Sequence, residues 1–475
     1  MSQVKDKALH IAMYPWLAMG HITPFLHLAN KLAEKGHKIT FFLSTKTKIT
    51  FFLPPKTQPK VASLNHHPNL ITFIPVPVPR VDGLPEWAET TNDVPPQARP
   101  LVMIAMDLTR DTVDSHLARL RPEIVFFDFA HWVPELARKY RAKSVFYCLT
   151  FMMPAMYFFP QARNLPINHI LKEEDLVQPP LGFPDGIRLT AHEARAMAYA
   201  LNLDFGGGTT WAQRSMLAYK ECDAIAIKTC REIEGPLCDF VPLFVSKPVF
   251  LTGPMLPALP DSRLDEDIDG WLKGFGHGTV IFCTLGSECS LEKDQFQELV
   301  LGLELTGKPF LAALKAPVNC ETIESALPEG FLERTRDRGI IHGGWVQQQL
   351  ILHHPSVGCF LTHGGPGSFT EAIKSECQIV SLPQAVDQFL VARLMSCLMK
   401  VGVEVEKRDS DGFFTREAVR KAINLVMEEE SEVGKEVRAN HAKWRELLSK
   451  EGLEENYIGK LVQGLQGLLG VEYII

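Results

Sequence analysis

Short, almost wholly apolar runs that alternate with amphipathic helical segments are the feature that most narrows what this chain can become. ALHIAMYP near the start, EIVFFDF at 123–129, SVFYCLT at 144–150, TVIFCTLGS at 279–287, PFLAALK at 309–315, VGCFLTH at 357–363 and QIVSLP at 378–383 are of this kind. A strand without polar alternation needs cover on both faces, which points to parallel sheets flanked by helices. The intervening segments supply them. In HITPFLHLANKLAEKG, residues Ile22, Phe25, Leu26, Leu28, Ala29 and Leu32 recur at helical spacing, Gly36 is expected to close the helix, and KITFFLS to begin the next strand. VPELARKY at 133–140 and SLEKDQFQELVLGLELTG at 290–307 repeat the pattern. The expected fold class is α/β, with doubly wound parallel sheets.

A chain of 475 residues exceeds what one hydrophobic core usually supports, so two such domains are expected. The break falls in VPLFVSKPVFLTGPMLPALPDSRLDED at 241–267, which is proline-rich and then turns acidic, as linkers do. This gives an N-terminal domain over 1–245, a linker over 246–267, a C-terminal domain over 268–455 and a helical tail over 456–475 that packs back on the first domain. Residues 151–220, rich in Met and aromatics, are expected to form irregular helices and loops over a pocket. If the two domains face each other, the carboxyl ends of both sheets border one cleft, where ligands of such folds bind.

Gross chemistry excludes several partners. A net charge of −7 is unsuited to a nucleic-acid backbone. The ten cysteines are scattered without a C-x-x-C pair or a neighbouring His at metal spacing, which fits reduced thiols in the cytoplasm. The apolar stretch at 144–162 carries Pro154 and Pro160 and is not expected to be an integral membrane span, and the N-terminus lacks an apolar signal core.

One stretch, LTHGGPGSFTEAI at 361–373, is poor core filler and well suited to holding an anion. A strand ends in His363, Gly364, Gly365 and Gly367 allow close approach of backbone N–H groups, and a helix begins with its positive end toward the loop. Ser368 is expected to donate to the same anion while capping the helix, and Glu371, one turn on, can accept from a ribose hydroxyl. Trp345 offers a flat face for a base with Gln348 beside it, and Asp387 with Gln388 can bond sugar hydroxyls. A mere glycine turn with a core histidine would leave the same sequence. Across the chain, His21 follows the first strand and Asp128 ends EIVFFDF; an imidazole titrating near neutrality and oriented by a carboxylate is a general base. Taken singly, these two residues also suit a helix start and a strand-end turn.

These residues carry a family resemblance. The block from Trp345 to Gln388 resembles, without a gap, the signature of plant family 1 UDP-dependent glycosyltransferases of secondary metabolism, with Trp345, Gln348, His354, Pro355, Gly358, His363, Gly365, Ser368, Glu371, Pro383, Asp387 and Gln388 in the signature's places. YPWLAMGHITPFLHLA and FFDFAHWVPELA extend the likeness, which is strongest to the branch that lengthens the sugar of flavonoid or anthocyanin glycosides. The resemblance implies a GT-B fold of two facing Rossmann-like domains and an inverting, metal-independent UDP-glycosyltransferase. It also implies a UDP-sugar co-substrate, expected to be UDP-glucose, no further cofactor, and a glycosylated lipophilic acceptor; a monomer is expected.

It further implies roles: Trp345 stacks on uracil with the Val346 backbone beside it, Glu371 takes the ribose, Ser287, His363 and Ser368 the diphosphate with Gly365 and Gly367 giving it room, Asp387 and Gln388 the sugar, and His21 with Asp128 the acceptor proton. No metal ligand is expected, the chain being taken to lack the Asp-x-Asp motif that metal-dependent relatives commonly use. The signature's usual Cys-Gly-Trp-Asn-Ser is replaced by Gly364 to Ser368, and Gly364 has no functional account at this level. Triterpenoid or other lipophilic glycosides are alternative acceptors, and a non-catalytic nucleotide-sugar binder is the alternative of another class. A nicotinamide dehydrogenase is disfavoured, because AMGHIT stands where a G-x-G-x-x-G would follow the first strand.

Overall fold

The computed structural model describes residues 9–34, 38–44, 61–184, 186–260 and 262–470. Gly36, expected to end the first helix, lies outside them, as do residues 471–475 of the expected tail. The chain divides into two compact units. One comprises the described residues up to Ile170, Tyr199–Met255 and those from Gly452 on; the other comprises Leu171–Ala198 and Leu256–Glu451.

The first unit is built on strands β1 (His10–Tyr14), β2 (Lys38–Ser44), β3 (Ile71–Val76), β4 (Ile124–Phe127), β5 (Lys143–Cys148), β6 (Ala224–Ile227) and β7 (Val249–Leu251). They lie in the order β3-β2-β1-β4-β5-β6-β7, and every pairing is parallel. The second unit holds β8 (Val280–Thr284), β9 (Phe310–Ala313), β10 (Gly339–His342), β11 (Val357–Thr362), β12 (Gln378–Ser381) and β13 (Gly402–Glu404), ordered β10-β9-β8-β11-β12-β13 and again all parallel. Both orders are those of doubly wound sheets, in which the direction of winding reverses beside the first strand. The reversal lies between β1 and β4 in one unit and between β8 and β11 in the other.

The apolar strands behave as their composition demands. All of β4, β6 and β8 is buried, as is β11 apart from Gly358. In the first unit Ile11, Met13, Phe25, Leu28, Phe126 and Val145 share a core with Ile458, Leu461, Val462 and Leu465, which come from the last helix of the chain. In the second, Ile281, Leu299, Phe310, Leu361, Val380 and Ile423 form the corresponding core. Each fully buried aliphatic or aromatic side chain contributes roughly 1.5–3 kcal/mol.

Two boundaries differ from those read along the chain. The stretch 246–267 contributes β7 to the edge of the first sheet and the start of the helix Glu266–Leu272, so it is not a featureless linker. Residues 171–198, assigned by position to the first domain, cluster with the second unit. Among the described residues no helix is long and apolar enough to cross a membrane.

Candidate active site

In the first unit β1 and β4 run side by side with Tyr14 opposite Phe127, so the residues that follow each strand emerge together. His21 sits in the first turn of the helix Met19–Glu34, and Asp128 directly follows β4. His21 Nδ1 lies 2.7 Å from Asp128 Oδ2. Asp128 Oδ1 accepts from the backbone N–H groups of Trp16 at 2.7 Å and Phe129 at 2.6 Å. The carboxylate, 2% exposed, thus has its charge satisfied without a cation. Because it only accepts, the proton between the two groups stays on Nδ1 and Nε2 presents a lone pair. The imidazole retains 28% exposure, which leaves that lone pair open to a reactant.

Beside the imidazole stands an aromatic wall. The Phe129 ring is 5.4 Å from that of His21, and Phe129 packs on Phe205 and Trp211 at 5.7 and 5.6 Å, while Trp16 meets Phe205 at 5.4 Å. Phe205 is carried by the loop of Asp204 to Thr210, pinned by the buried Arg214. That guanidinium donates to the carbonyls of Phe205 and Gly206 at 3.2 and 2.9 Å and to both carboxylate oxygens of Asp107. Neither Phe205 nor Arg214 was legible as a site residue, because the loop sequence DFGGGTT advertises only turns.

In the second unit β8 and β11 are paired with Thr284 opposite Thr362, and the two loops that follow bring Ser287 and His363 to one place. A Cβ on Gly286 would sit 2.7 Å from the His363 ring, and one on Gly365 2.6 Å from it, so the ring is wedged between two glycine backbones. Burial lowers its pKa to about 4, and at neutral pH it is an uncharged imidazole with a single N–H to donate. Gly364 adopts φ +77°, a conformation L side chains rarely take, which gives the departure at this position a physical reason.

The helix Pro366–Lys374 has Gly365 at its N-cap with no side-chain bond, and Pro366 in its first turn. Ser368 therefore does not cap it, contrary to the expectation from sequence; its Oγ lies 3.4 Å from Gln348 Nε2. The early N–H groups of such a helix lack intrahelical acceptors and are available to an anion. Around Gly367 a Cβ would meet nothing within 4 Å, so there is room for one.

Gln348 Nε2 also donates to Glu371 Oε2 at 2.5 Å, and Gln349 Nε2 to Glu371 Oε1 at 3.3 Å. Val346 is buried and its carbonyl accepts from the Gln348 N–H at 2.8 Å, while Trp345 is 61% exposed. Gln347 fastens this loop, accepting from the Asp265 N–H at 2.7 Å and donating to the Arg263 carbonyl at 2.9 Å. Of three consecutive glutamines two thus hold Glu371 and one fastens the loop, and sequence reasoning singled out only Gln348; identical neighbouring amides give no signal to separate them.

Asp387 and Gln388 open the helix Asp387–Arg393. Gln388 Oε1 accepts from the N–H groups of Gln384 and Ala385 at 3.0 and 3.2 Å, so its oxygen holds the loop. Within the unit, Trp345, Val346, Gln348, Ser368 and Glu371 are joined by one loop-and-helix arrangement, Ser287, His363, Gly365 and Gly367 form the glycine-walled end of it, and Asp387 with Gln388 begin the neighbouring helix.

Asp-x-Asp spacing does occur, which corrects the sequence count: Asp265, Asp267 and Asp269, and Asp409 with Asp411. Asp265 Oδ1 caps the helix Glu266–Leu272 by accepting from the Asp267 and Ile268 N–H groups. Asp269 pairs with Lys273, and Asp411 with Arg408. Among the described residues no cluster of three His, Cys, Asp or Glu side chains has metal-binding geometry.

Comparison with known proteins follows the same lines. The model of the family described as UDP-glucoronosyl and UDP-glucosyl transferase matches residues 250–436. A cyanidin 3-O-galactoside 2''-O-xylosyltransferase of Actinidia chinensis var. chinensis is 53% identical over 97% of this chain and 99% of that protein. An anthocyanidin 3-O-glucoside 2''-O-glucosyltransferase of Ipomoea nil is 49% identical over 97% of this chain and 98% of that protein. Among solved structures, Phytolacca americana UGT2, complexed with UDP-2fluoro-glucose and pterostilbene, aligns with a TM-score of 0.76 at 21% identity over 97% of this chain and 100% of that one. TcCGT1 in complex with UDP aligns at 0.78 and 19% identity, again over 97% of this chain and 100% of that one. These last two likenesses concern the fold, which is GT-B.

Proposed function

This chain belongs to the UDP-glucoronosyl and UDP-glucosyl transferase family and is a UDP-glycosyltransferase, and on that premise we propose that it adds a sugar to the sugar of a flavonoid or anthocyanin glycoside. Relatives at 53% and 49% identity carry names of that reaction on cyanidin and anthocyanidin 3-O-glycosides. The donor is a UDP-sugar, with glucose and xylose the two sugars in those names; UDP-glucose is the first to assay. Seven of the ten cysteines are buried free thiols, which supports action in the reducing cytosol.

The observation that carries the mechanism is the 2.7 Å bond of His21 to an Asp128 already held by two backbone N–H groups. Nε2 takes the proton of the acceptor hydroxyl as its oxygen attacks the anomeric carbon, and Asp128 stabilises the imidazolium that forms. Asp128 is too fully engaged to serve as a covalent nucleophile. Displacement is therefore direct, and an α-linked UDP-sugar gives a β-linked product. The leaving UDP is held by Trp345 at the base, Glu371 at the ribose, and Ser287, His363, Ser368 and the helix start at the diphosphate. Asp387 and Gln388 hold the sugar.

The decisive assay incubates the protein with UDP-glucose or UDP-xylose and a panel of anthocyanidin 3-O-glycosides, triterpenoid glycosides and aglycones, with the anomeric proton of the product read by NMR. Transfer only to aglycones, or an α-linked product, would sink the proposal. His21→Ala should lower kcat by at least a thousandfold and leave the Kd for UDP within twofold. Unchanged turnover in that variant removes the base assignment.

A further inference from the structure

The helix Asp387–Arg393 begins with the two proposed sugar contacts and ends on a partly buried ion cluster that this chemistry does not otherwise use. Arg393 Nη2 donates to both carboxylate oxygens of Glu193, at 3.0 and 2.9 Å, and its Nη1 donates to Glu404. Glu404 in turn accepts from Ser396 Oγ at 2.6 Å, and Glu193 from the Thr190 N–H at 3.0 Å. The other end of the same segment is tied as well: Lys407 Nζ donates to the Pro383 carbonyl and lies 5.3 Å from the centre of the Phe389 ring. Between the ties, Val386 is held at φ +39°, ψ −107°, a strained position for a β-branched residue, directly before Asp387. Such a conformation persists only where the surroundings over-determine it.

Glu193 is contributed by residues 171–198, which are remote in sequence yet cluster with this unit. The ion cluster borders a cavity of about 330 Å³ lined mainly by charged and polar groups, so on that side the helix end lacks the apolar packing that Leu390, Val391, Ala392, Leu394 and Met395 give its buried face. A bidentate guanidinium with carboxylates on both sides does fix it, since its fork admits few orientations.

We propose that Arg393, clamped by Glu193 and Glu404, is a positioning residue that sets the Asp387–Gln388 pair against the donor sugar and thereby contributes to the choice of sugar. The inference rests on the reading of Asp387 and Gln388 as sugar contacts. It predicts an effect on the sugar and none on the nucleotide, because the uracil, ribose and diphosphate contacts lie on other elements.

The test compares Arg393→Lys, which keeps the charge and loses the fork, Glu193→Gln, and Arg393→Met, each in the full chain and each checked for an unchanged melting transition before kinetics. Should Arg393→Met fail to fold, the other two carry the test. Calorimetry with UDP alone and with UDP-glucose, together with kcat and KM for UDP-glucose and UDP-xylose, gives the readouts. Expected are a UDP Kd within twofold of the parent, a loss of at least fivefold in the extra affinity of UDP-glucose over UDP, and a change of at least threefold in the glucose-to-xylose ratio of kcat/KM. A merely structural role would weaken both donors and UDP alike, and that result, or an unchanged ratio in folded variants, overturns the proposal. If the parent transfers no sugar at all, the functional reading fails separately, and the UDP against UDP-glucose affinities still decide whether Arg393 orders the sugar contacts.

Discussion

At the scale of single residues, the two candidate histidines, one in each unit, are held in contrasting surroundings. His21 is partly exposed and hydrogen-bonded to a carboxylate, which suits a group that must gain a proton during the reaction. His363 is wedged between glycine backbones and kept neutral by burial, which suits a fixed donor. Asp128→Asn tests the first arrangement: its amide would donate to Nδ1, move the imidazole proton to Nε2 and abolish the base. A fall in kcat on the order of 10³–10⁴ with unchanged UDP affinity is expected from pre-steady-state kinetics and calorimetry. Gly286→Ala and Gly365→Ala test the second, since each new Cβ would collide with the ring; UDP Kd should rise at least tenfold. Gly367→Ala meets nothing within 4 Å and should change unfolding free energy by no more than about 0.5 kcal/mol. The candidate site residues were legible because polar side chains at the ends of apolar strands stand out. Their fasteners were not: Gln347 acts on Arg263 and Asp265, and Arg393 on Glu193, partners that periodicity cannot find.

Elements explain why the turn proposed to bind the diphosphate keeps its place. The helix Pro366–Lys374 ends against the helix Glu432–Leu448, where the buried His441 lies with Nε2 at 3.3 Å from the Ile373 carbonyl. Burial lowers the pKa of His441 to about 4, while an unfolded histidine titrates near 6.5. Between those values the unfolded chain binds the proton and the folded one does not, so stability is lost as pH falls from about 6.5 towards 4 and is intact above that window. The full contribution is roughly 3 kcal/mol for one such group. His441→Asn, which retains an N–H for Ile373, should flatten the decline of the melting temperature of the second unit over that window by less than half, because His363, His192 and His354 titrate with the same sign. A decline as steep as that of the parent would count against the assignment. Most elements of the two sheets could be read from apolar runs alone. The exception is instructive: β7 is three residues long, lies between prolines in a stretch whose composition resembles a linker, and becomes a strand because β6 offers it an edge.

For the whole molecule, the order of the chain and the order of the fold disagree. The last helix, Leu453–Leu468, completes the core of the first unit although the second lies between them in sequence. Besides its four buried aliphatics, Tyr457 Oη accepts from the Arg231 N–H and donates to Glu232, each at 2.8 Å, and Glu454 pairs with Lys31 at 3.1 Å. Gly464 passes Phe250 so closely that a Cβ would lie 2.3 Å from the ring. Removing residues from Gly452 onward deletes Ile458, Leu461, Val462 and Leu465 and uncovers their partners in the core of the first unit. At roughly 1.5–3 kcal/mol for each lost side chain, that is comparable with the whole net stability of a domain. The truncated chain should therefore expose its first unit to protease while the second, whose core owes nothing to this helix, still binds UDP with a Kd within threefold of the full chain. Leu461→Asp should produce the same division with the chain length unchanged. Cleavage confined to the second unit, or a single melting transition equal to that of the parent, would mean that the terminal helix is an accessory and not the closing piece of the first fold.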